Sequence, residues 1–182
     1  MDGRHYLEET RKRLAELKSR AERALEQVDD AQFFAQLDAE SNSLAIVVKH
    51  LGGNLRSRWR DFLTSDGEKA DRRRDFEFVL EPGDTRASLM ERWEAGWRYL
   101  LDTLSALKPE ALERKVIIRC EPHTVVEAMQ RAYGHAAEHV GQIFFLARHL
   151  AGPRWKTLSI PRGRSEEFNA MMRGKRKERR TS

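Results

Sequence analysis

Cysteine is almost absent. Cys120 is the single thiol in 182 residues, so no internal disulfide can form and a reducing cytoplasm is the expected compartment. Nothing around it in sequence clearly lowers its pKa, and it reads as an inert, buried or half-buried thiol. Long apolar runs are missing as well. No stretch of about 18 apolar residues occurs, which excludes a helical membrane span. Met1-Asp2-Gly3-Arg4-His5 leads straight into charged sequence and lacks the apolar segment of a secretory signal. There is no internal repeat and no glycine-rich phosphate loop. Strand-like sequence is scarce, Val116-Ile117-Ile118 being the one extended piece. What remains is a chain of a length that suits one domain.

The net charge of +5 hints at nucleic acid, but its location argues otherwise. Six of the 34 basic residues and one of the 29 acidic ones lie between Arg173 and Ser182; the rest of the chain holds 28 of each. The body is charge-balanced and the basicity belongs to the end of the chain. Such a segment can bind polyanions without sequence specificity. The plainer reading is a solvated terminus, and neither a specific nucleic acid nor a membrane is expected as a partner.

Apolar spacing predicts four long helices. The first runs from Tyr6 to Val28 on Leu7, Leu14, Leu17, Ala21, Leu25 and Val28. Asp29-Asp30 breaks it, and Ala31 to Glu40 forms a turn or short helix with Phe33, Phe34 and Leu37 turned inward. The second runs from Ser41 or Ser43 to Phe62 on Leu44, Val47, Val48, Leu51, Leu55, Trp59 and Phe62. Gly52-Gly53 interrupts it. Glycine costs a helix interior roughly 1 kcal/mol relative to alanine, so the pair implies close packing on a neighbouring helix, near enough for His50 to reach across. The polar segment from Thr64 to Asp84 is long for a compact domain. Its Arg72-Arg73-Arg74 reads as solvated or carboxylate-paired surface.

Thr85 caps the third helix, Arg86 to Leu107, striped by Leu89, Trp93, Trp97, Leu100, Leu101 and Leu104 and closed by Pro109. Glu121-Pro122-His123 turns the chain. Thr124 with Glu127 matches a capping box and opens the fourth helix, which stops at Ala151-Gly152-Pro153. A strap from Trp155 to Gly163, a short polar helix and the basic end follow. The fold class is all-α, with a bundle domain over residues 1–165 and a basic, flexible tail over 166–182.

Two histidines, His135 and His139, lie one turn apart on the core-facing side of the fourth helix. His50 lies on the apolar face of the second. Buried imidazoles need partners, which leaves two readings: core histidines satisfied by neighbours, or three ligands of one metal. Three neutral imidazoles suit zinc, nickel, iron or copper and leave positions open for water or substrate. His149 lies too far along the helix to share the ion, and His5 and His123 lie outside the stripe. His135-Ala136-Ala137-Glu138-His139 also matches the H-x-x-E-H string of inverzincin peptidases, in which the glutamate is the base. Those enzymes need a further acidic ligand downstream, where this chain has few acids.

Several longer strings carry a family resemblance: Asn42 to Asn54, Ser57-Arg58-Trp59, Asp66-Gly67-Glu68-Lys69, Arg74-Asp75-Phe76-Glu77-Phe78, His135-x-x-x-His139-x-Gly141-Gln142, and Leu158-Ser159-Ile160-Pro161-Arg162-Gly163. The chain resembles the DinB-like, or YfiT-like, superfamily of metal-binding four-helix bundles, and within it a small uncharacterised bacterial family. The resemblance implies a bundle with a long crossover loop between helices two and three, often a homodimer. It implies a divalent transition metal, zinc or nickel, on His50, His135 and His139. Some DinB-like proteins are transferases or isomerases that use low-molecular-weight thiols such as bacillithiol or mycothiol. An open metal position would lower the thiol's pKa and present a thiolate to an electrophile. Arg58, or Arg72 to Arg74, could then hold the thiol's carboxylates, with Asn54 beside them and Gln142 orienting a ligand or water. The alternative is a non-catalytic metal-binding protein with a stress-response or sensor role. Val140 is a departure: in the commoner superfamily string an arginine often follows the second histidine.

Overall fold

The first five α-helices each begin at a side chain able to hold free N–H groups. In the computed structural model, which describes residues 2–181 and side chains through Lys175, Asp2 accepts from Arg4 N at the start of α1 (Gly3–Leu25). Asp29 and Gln32 form a capping box on the short α2 (Asp30–Phe34). Ser43 Oγ accepts from Ile46 N at α3 (Leu44–Trp59), and Thr85 pairs reciprocally with Ser88 at α4 (Arg86–Ala106). Thr124 and Glu127 make the expected box on α5 (Val125–Ala151). Such caps contribute about 1 kcal/mol each and set where these helices start.

The molecule is mostly helical, with one small hairpin, β1 (Lys115–Ile118) against β2 (Glu121–Thr124). The hairpin corrects the expected turn at Glu121 to His123. The turn falls at Arg119 and Cys120, both at positive φ (55° and 64°), and Val116 pairs with His123. Cys120 is therefore exposed at a hairpin tip rather than buried. Leu37 is also exposed, because α2 ends at Phe34 and only Phe33 of that segment is fully buried.

Trp93 and Trp97 are fully buried with Leu14, Leu44, Leu51, Leu89, Leu100, Val125 and Ile143 in one core. Helix directions follow from particular contacts. Gly52 meets Arg92 and Trp93, and Thr103 Oγ1 donates to Trp59 O at 3.2 Å. Both partners advance together, so α3 and α4 run parallel. Parallel neighbours cannot be joined by a tight turn, which accounts for the long segment between them. Lys18 with Glu94, and Arg86 with Leu25 O, set α1 antiparallel to α4.

The glycine pair splits its work. Gly52 does support close packing, but against α4 rather than the histidine-bearing α5: a Cβ on Gly96 would lie 2.5 Å from Gly52 O. A Cβ on Gly53 would lie 2.5 Å from Glu77 Oε1. After α5 the chain continues to α6 (Ser165–Thr181), so the expected tail 166–182 is helical up to Thr181, and Ser182 lies outside the described residues. Among the described residues no helix is long and apolar enough to cross a membrane.

Candidate metal centre

α3 supplies His50 and α5 supplies His135 and His139 at i, i+4 spacing, and the three Nε2 atoms converge. His135 Nε2 lies 3.3 Å from His50 Nε2 and 3.2 Å from His139 Nε2. Among the described residues no carboxylate or thiol joins this cluster. The outer nitrogens decide its chemistry. His50 Nδ1 is 2.8 Å from Glu77 Oε2, and His139 Nδ1 is 2.9 Å from Gln142 Oε1. Both oxygens only accept, so each Nδ1 carries the proton and each Nε2 presents a lone pair. His135 Nε2–H could satisfy one of those lone pairs and not both. A cation satisfies all three. An ion held about 2.0–2.1 Å from each nitrogen at tetrahedral angles sets the nitrogens about 3.3 Å apart, which the two pairs through His135 match, and all three lie within 4.8 Å of one another. The donor set fits a divalent transition metal.

Glu77 is the residue that spacing alone does not reveal. Arg72 grips it with a two-pronged bond, Nε to Oε1 and Nη2 to Oε2, each 2.9 Å. Burial alone would raise the Glu77 pKa, but Arg72 and His50 together outweigh it and hold the carboxyl below its ordinary range. Arg72 Nη1 also donates to Glu68 at 3.3 Å, and its side chain is only 3% exposed. Arg72 is thus carboxylate-paired and not available to a ligand. Phe78 covers the His50 ring at 4.5 Å between centroids. Burial, then the neighbouring His139 and His50, push His135 down to about 3, and burial also lowers His139. Neutral imidazoles are the form that binds metal.

A cavity of about 430 Å³ opens beside His50 and His135. Asn54, Arg58, Arg74, Arg119, Arg131 and Glu138 line it, over a floor that includes Trp59 and Phe62. Arg58 is buried, and its Nη1 lies 2.9 Å from Glu68 Oε2 without the alignment of a hydrogen bond. Burial pulls the Arg58 pKa down from its ordinary value. Arg119 Nε donates to the same Glu68 oxygen at 3.0 Å. One carboxylate thus faces three guanidiniums, with Arg74 and Arg131 beyond it, and the cavity carries net positive charge.

The polar loop after α3 builds this wall. Ser57 Oγ donates to Gly67 O at 2.8 Å, and Gly67 N donates to Ile117 O at 2.8 Å. Asp66 accepts from the backbone N–H groups of Arg119 and Cys120.

All three expected ligands meet, and Asn54 and Arg58 line the adjoining cavity. Gln142 holds His139 itself rather than a water or ligand. Arg73 stacks on Phe76 and Arg74 faces the cavity. His123 stands apart, 4.0 Å from Glu121. Glu138 is exposed on the cavity wall. Arg119 and Arg131 had no signal in the sequence beyond their charge. Glu77 stood in a motif string, but its partner lies 27 positions away across an aperiodic loop.

Fold and centre together define a helical protein with a three-histidine site beside a cationic cavity. Residues 2–164 match the DUF1572 family, described as a protein of unknown function, and the chain belongs to that family. No curated protein and no solved structure matches it.

Proposed function

We propose that this protein is a DinB-like four-helix bundle that binds one divalent transition metal, zinc or nickel, on His50, His135 and His139, and transfers a low-molecular-weight thiol to an electrophile. The observation that carries the reading is the convergence of three Nε2 atoms while two of the outer nitrogens are held by Glu77 and Gln142. Carboxylate- and amide-oriented imidazoles are the usual support of a metal centre. The four packed helices α1, α3, α4 and α5, and the long segment joining parallel α3 and α4, agree with the bundle reading.

A bound metal supplies a Lewis-acid position that lets a thiol lose its proton near neutral pH. The chain's own groups do the rest. Arg74 and Arg131 receive the thiol's carboxylates through charge-assisted hydrogen bonds, and Asn54 orients its amide. Trp59 and Phe62 form an apolar floor for the electrophile. The sulfur bonds to the electrophilic carbon as the leaving group departs, and the thiol proton passes to Glu138 or water.

Elemental analysis of the untagged protein beside His50→Ala is the test. About one zinc or nickel per chain is expected in the wild type and none in the variant, with thiol conjugation lost in parallel. An absence of metal in both, even after zinc or nickel is added, removes the reading. Bound metal without turnover over a panel of thiols and electrophiles would leave the non-catalytic sensor in its place.

A further inference from the structure

Helix α6 begins at Ser165, one residue after the family match ends. Every described side chain from Ser165 to Lys175 is exposed. Yet the helix is amphipathic. Phe168, Met171 and Met172 recur at i, i+3 and i+4, which places them on one stripe, and they are 38%, 47% and 48% exposed. A solvated tail has no need of such a stripe. The acids Glu166 and Glu167 sit in the first turn, where they complement the helix dipole. The sequence onward is basic: Arg173, Lys175, Arg176, Lys177, Arg179 and Arg180 against the single acid Glu178.

We propose that α6 is a peripheral docking helix for an anionic lipid surface. Phe168, Met171 and Met172 would enter the headgroup boundary while the basic half meets the lipid phosphates. Both features point to this occupant. A run of Lys and Arg selects a negative surface, and an apolar stripe with a bulky aromatic residue lets the helix lie in a membrane interface. Nucleic acid would use the charge and leave the stripe idle. An acidic protein groove would match part of the charge, but the six basic residues suit an extended surface better than a single groove. The body, with its cationic cavity, stays outside the bilayer, and no spanning segment is required.

The test is flotation of the full-length protein with vesicles of phosphatidylglycerol in phosphatidylcholine, and with phosphatidylcholine alone. Wild type is expected to rise with the anionic vesicles only, and less at high salt. Phe168→Ala, Met171→Ala and Met172→Ala combined keep every charge and are expected to weaken partitioning roughly tenfold or more. All three side chains are exposed, so the variant should melt close to the wild type. Equal flotation of the triple variant would mean that charge alone acts and would overturn the proposal. So would wild type that ignores anionic vesicles, whether or not it binds duplex DNA. Failure of the metal reading leaves this result untouched, since α6 shares no residue with the centre.

Discussion

Helix α3 meets its two neighbours in opposite ways. Toward α4 it is bare: Gly52 and Gly96 bring backbone against backbone, with Trp93 and Trp97 fully buried alongside. Toward α5 it carries His50, Asn54 and Arg58, and the helices stand apart around a cavity. The dry contact makes the wet one possible. Burying His50, Glu77 and Arg72 in place of apolar side chains forgoes packing energy, and an open cavity beside them invites collapse. A helix pinned at backbone distance on one side cannot slide to close the other.

The largest expected effect comes from breaking the dry side. In Gly96→Ala the new Cβ would sit 2.5 Å from Gly52 O, where only backbone could yield. Overpacking of this kind costs about 2–3 kcal/mol. Urea denaturation should show a lower midpoint with an unchanged slope. An unchanged midpoint would mean that the two helices are not in backbone contact.

The wet side should respond in ligand affinity. Glu77→Gln keeps an acceptor for His50 Nδ1 but removes the charge that holds the imidazole's tautomer. Loss of such a supporting carboxylate typically weakens metal binding roughly 10–100-fold. Competition with a chromophoric chelator measures it, and wild-type affinity in the variant would remove Glu77 from the centre.

Gly53→Ala sharpens the contrast, because it alters the same glycine pair from the other side. Its Cβ would lie 2.5 Å from Glu77 Oε1, so it displaces the carboxylate that Arg72 and His50 hold rather than another helix's backbone. Metal affinity should therefore fall about tenfold or more, whereas Gly96→Ala, which touches no ligand support, should leave it unchanged in the folded protein. Wild-type affinity in Gly53→Ala would mean that the two glycines serve one packing role.

Local chemistry made much of this legible in the sequence. The box at Thr124 and Glu127, the stop at Gly152-Pro153, the tryptophan stripe of α4 and the His135–His139 pair all depend on residues within a turn of one another. His50 needed only its place on an apolar face. Glu77 was out of reach because its position beside His50 depends on a loop with no period, closed by Arg72, Gly67 and Asp66. The neighbour that Gly52 approaches was not legible for a related reason: a glycine signals close approach without saying from which side. Cys120 and Leu37 were misplaced where a hairpin tip and the end of a short helix overrode hydropathy.

The smallest effect is a pH dependence of the metal-free protein. Burial, with His139 and His50 nearby, takes His135 from 6.5 to about 3 in the folded state, and burial lowers His139 as well. Between those limits the unfolded chain binds protons that the folded chain refuses. Stability is therefore full above the unfolded value and falls as pH drops below about 6.5. Carboxylates such as Glu77, depressed from 4.5, withdraw their own contribution only at lower pH, while burial raises Glu22 and sets it against the trend, so in the window from about pH 6.5 to about pH 5 the comparison with a histidine variant isolates the imidazole. The urea midpoint of chelator-treated protein should decline across that window, and less so in His135→Gln, which cannot take up the proton. A flat midpoint would mean that the imidazoles are not held neutral by the fold, and that the open face of α3 is more solvated than its packing against α5 implies.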